Sequence, residues 1–251
     1  MTLVKDLLDN AVHIASKRQF WSPKMRNYIY GVQNGVHVFD LTKTAARLEA
    51  MHATLKDLSL KGKTILIVGT KLQTRDLTRK IAIETNNFYI DSKWVPGLLT
   101  NFPTIKKRIA TFNQIEKSAQ EGGFTGLTKK EISIKMKELE KLRKSYEGIK
   151  DLRKVPDALF VIDGHFEDLA LTEAATLKIP TYALLGSTGD IDKSTDFVPC
   201  NVNSIKSLTY LMNFFKDAIR REKKAENPLK LERLRQQGET EVEAVVPGEE
   251  L

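Results

Sequence analysis

Short apolar and β-branched runs recur along the chain at 36–39, 64–68, 88–90, 158–162 and 181–185, each bounded by turn residues. Between them, apolar positions fall at spacings of three and four, which predicts helices over 41–58, 72–85, 167–177 and 204–221. Strands that alternate with helices are joined by right-handed crossovers, so the pattern implies an α/β fold with a parallel sheet covered on both faces. The run ILIV at 65–68 has no polar position and belongs at the centre of that sheet.

The alternation breaks once. Two long helical patterns, from 98 to about 120 and from 128 to about 146, are joined by EGGFTG at 121–126. Ile105, Ile109, Phe112 and Ile115 mark one stripe, and Ile132, Met136, Leu139, Leu142, Tyr146 and Ile149 mark the other. This predicts an inserted antiparallel coiled-coil hairpin, a device for docking more often than for catalysis. Lys129, Lys130, Lys135, Lys137, Lys141 and Lys144 cover its remaining surface. The string KWVPGLLTNF at 93–102 leads into it, with Pro96 and Gly97 fixing a turn that starts a helix at Leu98. The expected organisation is therefore a sheet domain over 1–97 and 147–222, a hairpin over 98–146, and a C-terminal segment over 223–251. That last segment opens as a basic helix with a start signal at Asn227-Pro228 and ends in a low-complexity acidic tail expected to be disordered.

Composition narrows the function classes. A chain of 251 residues that is 41% hydrophobic can bury a full core. Its single cysteine, Cys200, excludes a disulfide framework, and no Cys and His stand at metal-finger spacing. The N-terminus carries Asp6 and Asp9 and no long apolar core, so neither a secretory signal nor a membrane span is expected, and the cytoplasm fits best. The net charge of +8 is uneven: residues 1–110 hold 18 basic against 8 acidic side chains, whereas 156–215 hold 3 against 8. Such polarity suits a protein with one face on a polyanion, held mainly by counterion release and hence by a salt-dependent affinity.

Three places carry candidate chemistry. Gly69 to Arg75 follows a strand and opens a helix, the position where open α/β sheets bind ligands. It lacks the glycine spacing of a nucleotide loop, and its amides with Lys71 and Arg75 suit an RNA phosphate equally well. Asp163, Asp190, Asp192 and Asp196 end strands or fill loops, where acids hold magnesium or, more commonly, cap helices and turns. His13 and His37 sit in apolar contexts, and His52 and His165 have no partner at a telling spacing. At 17–26, KRQFWSPKMR interleaves Arg18, Lys24 and Arg26 with Phe20 and Trp21, as in an irregular arm that contacts phosphates while its aromatics pack. Lys93, Lys106, Lys107 and Arg108 add bases on either side of the hairpin entry, with Trp94 as a second packing or stacking anchor.

FWSPKMRNYIYGVQNGVHVFDLTKT (20–44), ILIVGTKLQ (65–73), KWVPGLLTNFPTIKKR (93–108), GIKDLRKVPDALFVID (148–163) and IPTYALLG (179–186) together resemble the bacterial second protein of the small ribosomal subunit, in order and spacing over about residues 4–220. The resemblance implies a flavodoxin-like sheet with an inserted coiled-coil hairpin, no catalysis and no homo-oligomer. It implies binding to small-subunit rRNA between head and body of the subunit. It also implies contact with neighbouring small-subunit proteins, including the large first protein, which it helps to recruit. Where the family writes a second histidine this chain has Ser16, and where it writes His-Arg before the Trp it has Ser92-Lys93. Pro96 replaces a glycine, Gly186 an aspartate and Cys200 a glycine; any contact or metal that the two absent histidines serve is not carried over. The implied reading has no cofactor, a structural magnesium being the one left open. Its rival is a nucleotide- or magnesium-dependent enzyme using 69–75 with Asp163 and Asp190.

Overall fold

The computed structural model of the protein describes residues 2–120, 124 and 128–221. Five strands, β4 (Ile65–Val68), β5 (Phe88–Ile90), β6 (Ala158–Ile162), β7 (Thr181–Leu185) and β8 (Asp196–Pro199), form a wholly parallel sheet in the order β5-β4-β6-β7-β8. Reversal of strand order beside the first strand is the flavodoxin-like pattern, and it leaves the strand ends of β4 and β6 side by side. The side-chain alternation of each strand divides the interior into two cores. Ile65, Ile67, Phe160 and Leu184 face one way, against α2 (Leu41–Leu60), α3 (Arg75–Glu84) and α7 (Ile205–Lys216). Leu66, Val68, Val161 and Leu185 face the other, against α4 (Phe102–Gln120), α5 (Lys129–Tyr146) and α6 (Asp168–Thr176). Every residue of β4, β6 and β7 is buried, which is why β4 and β6 read as continuous apolar runs and β7 as one broken only at its start by Thr181.

A second, antiparallel sheet was not expected. Strands β1 (Ile14–Lys17), β2 (Ile29–Gln33) and β3 (Val36–Phe39) pair in the order β1-β3-β2. The run at 36–39 thus belongs here, not to the parallel sheet. Asn34 and Gly35 both take positive φ, 50° and 77°, the pairing that a two-residue hairpin turn demands between β2 and β3. The place left open in the parallel sheet is filled by β8, whose Asp196 and Pro199 disguise it as a loop; an edge strand tolerates both. A short helix, α1 (Thr2–Asp9), precedes β1.

The arm is more regular than expected: β1 covers Lys17, and Pro23–Tyr28 form a 3-10 turn that buries Met25 completely. Helix α3 starts at Arg75 and not near Leu72, so the preceding loop is longer than predicted. Helix α4 starts at Phe102 and not at Leu98. The signal for that start is Pro103 in the first turn, where its missing N–H costs nothing, while the Asn101 carbonyl accepts the Thr104 amide at 3.1 Å. Helix α5 opens at Thr128 with a reciprocal capping box to Glu131, and Arg143 of α5 meets Glu116 of α4 at 3.2 Å. Phe112 and Leu139 are buried as expected, but Met136 is 44% exposed while Ile132 nearer the tip is half-buried, so the second apolar stripe is interrupted at Met136. Most of EGGFTG and all of 222–251, including the predicted basic helix and acidic tail, lie outside the described residues.

Candidate nucleic-acid interface

Of the basic residues singled out above, Lys71 and Lys93 lie in the loops at the carboxyl ends of β4 and β5, and Arg75 opens α3 beside them. After β4, the Thr70 amide and hydroxyl donate to one carboxylate oxygen of Glu167 at 2.6 and 2.7 Å. Lys71 donates to Asp163 Oδ2 at 2.8 Å and to Asn203 Oδ1 at 2.6 Å. Arg75 reaches back to the Thr70 carbonyl at 3.1 Å and across to the Ser92 carbonyl at 3.4 Å. The crevice in which an α/β enzyme would hold its ligand is therefore occupied by the chain's own side chains. The Lys71–Asp163 pair is largely buried, its side chains 18% and 6% exposed. Burial raises the pKa of Glu167 against the lowering influence of the Thr70 donors, and the nearby Asp163 charge adds to the rise.

The arm lies over the end of β7. The Ser16 amide donates to Ser187 Oγ at 3.1 Å and the Ser22 amide to the Ser187 carbonyl at 2.7 Å. Lys24 bridges Asp190, at 2.8 Å, and Asp192. Hydrogen bonding to Asp190 and then Asp192 raises the Lys24 pKa, and the same bond from Lys24 lowers that of Asp190. Trp21 rests against His37, ring centroids 5.3 Å apart, and stays 37% exposed. Asp196 accepts from Arg47 at 2.8 Å, whose guanidinium also lies 4.2 Å from the Phe197 ring centre.

The four aspartates considered for magnesium are thus drawn to three different cations, Lys71, Lys24 and Arg47. They do not converge, and among the described residues no group of three or more His, Cys, Asp or Glu is placed to hold a metal ion.

KWVPGLLTNF wraps around a residue that periodicity does not single out. Glu173 on α6 is only 6% exposed and receives the Trp94 indole N–H at 3.0 Å and the Gly97 amide at 2.8 Å on one oxygen. Its other oxygen receives the Leu99 amide at 3.0 Å, and the Thr100 amide and hydroxyl, each at 3.2 Å. Gly97 holds φ +82°, a conformation a side chain would strain, which lets the turn present these amides together. Burial pushes the Glu173 pKa up, but the Trp94 bond followed by the three backbone amides outweighs it and leaves the carboxyl below its ordinary value. Trp94, 6% exposed and bonded to Glu173, is a packing anchor and offers no stacking face. The only sequence sign of Glu173 is an acid among small apolar residues in LALTEAAT.

The basic residues therefore fall into two sets. Lys24 and Lys71 neutralise acids of the chain, and Arg75 ties two loops together. Arg18, Arg26, Lys93, Lys106 and Lys107 are exposed and form no ion pair among the described residues. Arg108 is exposed near the Tyr146 phenol. The strand-end loops bring Arg75 and Lys93 together through Ser92, and α4 carries Lys106, Lys107 and Arg108 outward from the same turn. A comparison with protein-family models finds a match over residues 7–222 to the one described as Ribosomal protein S2.

Proposed function

The chain belongs to the ribosomal protein S2 family, and from that membership we propose that it binds small-subunit rRNA through the carboxyl edge of its parallel sheet and the root of α4. Family membership makes it a structural protein of the small ribosomal subunit and points away from an enzyme. The observation that carries the RNA reading is the set of exposed basic side chains that form no ion pair among the described residues: Arg18, Arg26, Lys93, Lys106 and Lys107. A cation already matched by a carboxylate displaces few counterions from RNA, whereas an unmatched one displaces about one. On this reading Arg18, Arg26, Lys93, Lys106, Lys107 and Arg108 contact phosphate, Arg75 supports Lys93, and Lys24 and Lys71 hold the loops in place.

The position is between head and body of the subunit in the cytoplasmic ribosome, with the paired helices α4 and α5 projecting toward protein neighbours, the first small-subunit protein among them. Exposed Ile134 and Met136, 57% and 44% exposed, support a protein contact on α5. The test is sedimentation with small subunits over a range of salt. The chain should travel with the subunit at low salt and leave it at high salt; free protein in every low-salt fraction would sink the reading. Deleting the hairpin tip should cost the protein neighbour and spare the RNA.

A further inference from the structure

We propose that Phe166 is a stacking platform for one unpaired RNA base, an inference that rests on the RNA-binding reading of this edge. Phe166 follows β6 and is 56% exposed. It makes no ring or cation contact among the described residues. The loop that carries it is held at several points. Its amide donates to the Asp163 carbonyl at 3.0 Å, and Asp163 is pinned by Lys71 at 2.8 Å. The next residue, Glu167, takes both donors of Thr70. Leu72 in the loop after β4 is 78% exposed, and Leu169 in the first turn of α6 is 45% exposed.

Leaving the Phe166 ring in water forgoes burial that a partner would supply. Charge selects which partner. Asp163 and Glu167 are buried at 4% and 3% exposure, and Asp168 is paired with Lys193. Arg75 and Lys93 are exposed beside the same loops. An exposed apolar ring near the exposed Arg75 and Lys93, with its neighbouring acids either buried or paired, fits a nucleobase carried on a polyanion. Unstacked bases of single-stranded RNA use aromatic rings in this way, and each such contact is sequence-tolerant.

The test is filter binding of a transcribed small-subunit rRNA to the full chain across a salt series. Phe166→Ala should weaken binding about tenfold with the salt slope unchanged, because stacking releases no counterion. Phe166→Trp should restore the affinity. An unaltered urea midpoint for Phe166→Ala would show that its loss is not a folding defect. If the wild-type chain binds with a steep salt slope but Phe166→Ala binds within twofold of it, stacking is refuted and the RNA reading stands. Phe166→Ala that spares RNA but releases a neighbouring protein from assembled subunits overturns the proposal in favour of protein docking. Absence of wild-type binding at any salt removes both readings.

Discussion

Two buried glutamates six positions apart are handled in opposite ways. Glu173 is 6% exposed and surrounded by donors from a single turn, which hold its pKa below the usual carboxylate range. Glu167 is 3% exposed, has among the described residues the two donors of Thr70, and burial raises its pKa. At Glu173 the donors aimed at the carboxylate outweigh desolvation, whereas at Glu167 desolvation prevails over its donors. The difference follows the job of each loop. Glu173 fixes the turn that launches α4 with its free bases. Glu167 ties down a strand-end loop whose Lys71 is already paired.

The largest effect is expected at Glu173. Glu173→Ala leaves the Trp94 indole and the amides of Gly97, Leu99 and Thr100 without an acceptor, and a buried group stripped of its partners costs about 1–3 kcal/mol each in the worst case. After relaxation and water entry, a loss of about 3 kcal/mol should appear in urea unfolding. Glu167→Gln should instead be neutral or stabilising at pH 7, because it removes a buried charge while keeping an oxygen for Thr70. Equal destabilisation by the two substitutions would erase the contrast.

Acid titration sharpens it. With its folded pKa depressed, Glu173 contributes stability that is present above the unfolded carboxylate pKa of about 4.3 and is lost as pH falls through the folded value. Glu167 has the opposite sign: its folded pKa is raised, so its contribution is full below about 4.3 and is lost as pH rises through the folded value. Stability curves should show Glu173→Gln closing most of its gap to wild type in acid, and Glu167→Gln performing best, relative to wild type, near neutrality.

Much of this architecture was legible in the sequence. The fully buried strands at 65–68, 158–162 and 181–185 announce themselves because a strand covered on both faces carries few polar positions. What escaped was edge structure and partnership. Of the small antiparallel sheet only its central strand β3 was legible; β1, β2 and β8 mix polar and apolar residues, as edge strands do, and so lack a clean period. The start of α4 was misplaced because Pro96-Gly97 is a stronger local turn signal than Phe102-Pro103, though the helix begins at the second. The basic residues were readable as a set, but their division was not. Lys24 meets Asp190 and Asp192 across more than 160 positions, and Lys71 meets Asp163 across 92. Only the fold brings such partners together.

That division is tested most directly by the salt dependence of binding to a small-subunit rRNA transcript. Glutamine at Arg26, Lys93, Lys106 or Lys107, one at a time, should each lower the slope of log affinity against log salt by about one. Lys71→Gln should leave the slope unchanged while lowering the urea midpoint. A slope lowered by Lys71→Gln and untouched by the other four would contradict the assignment of free and clamped cations.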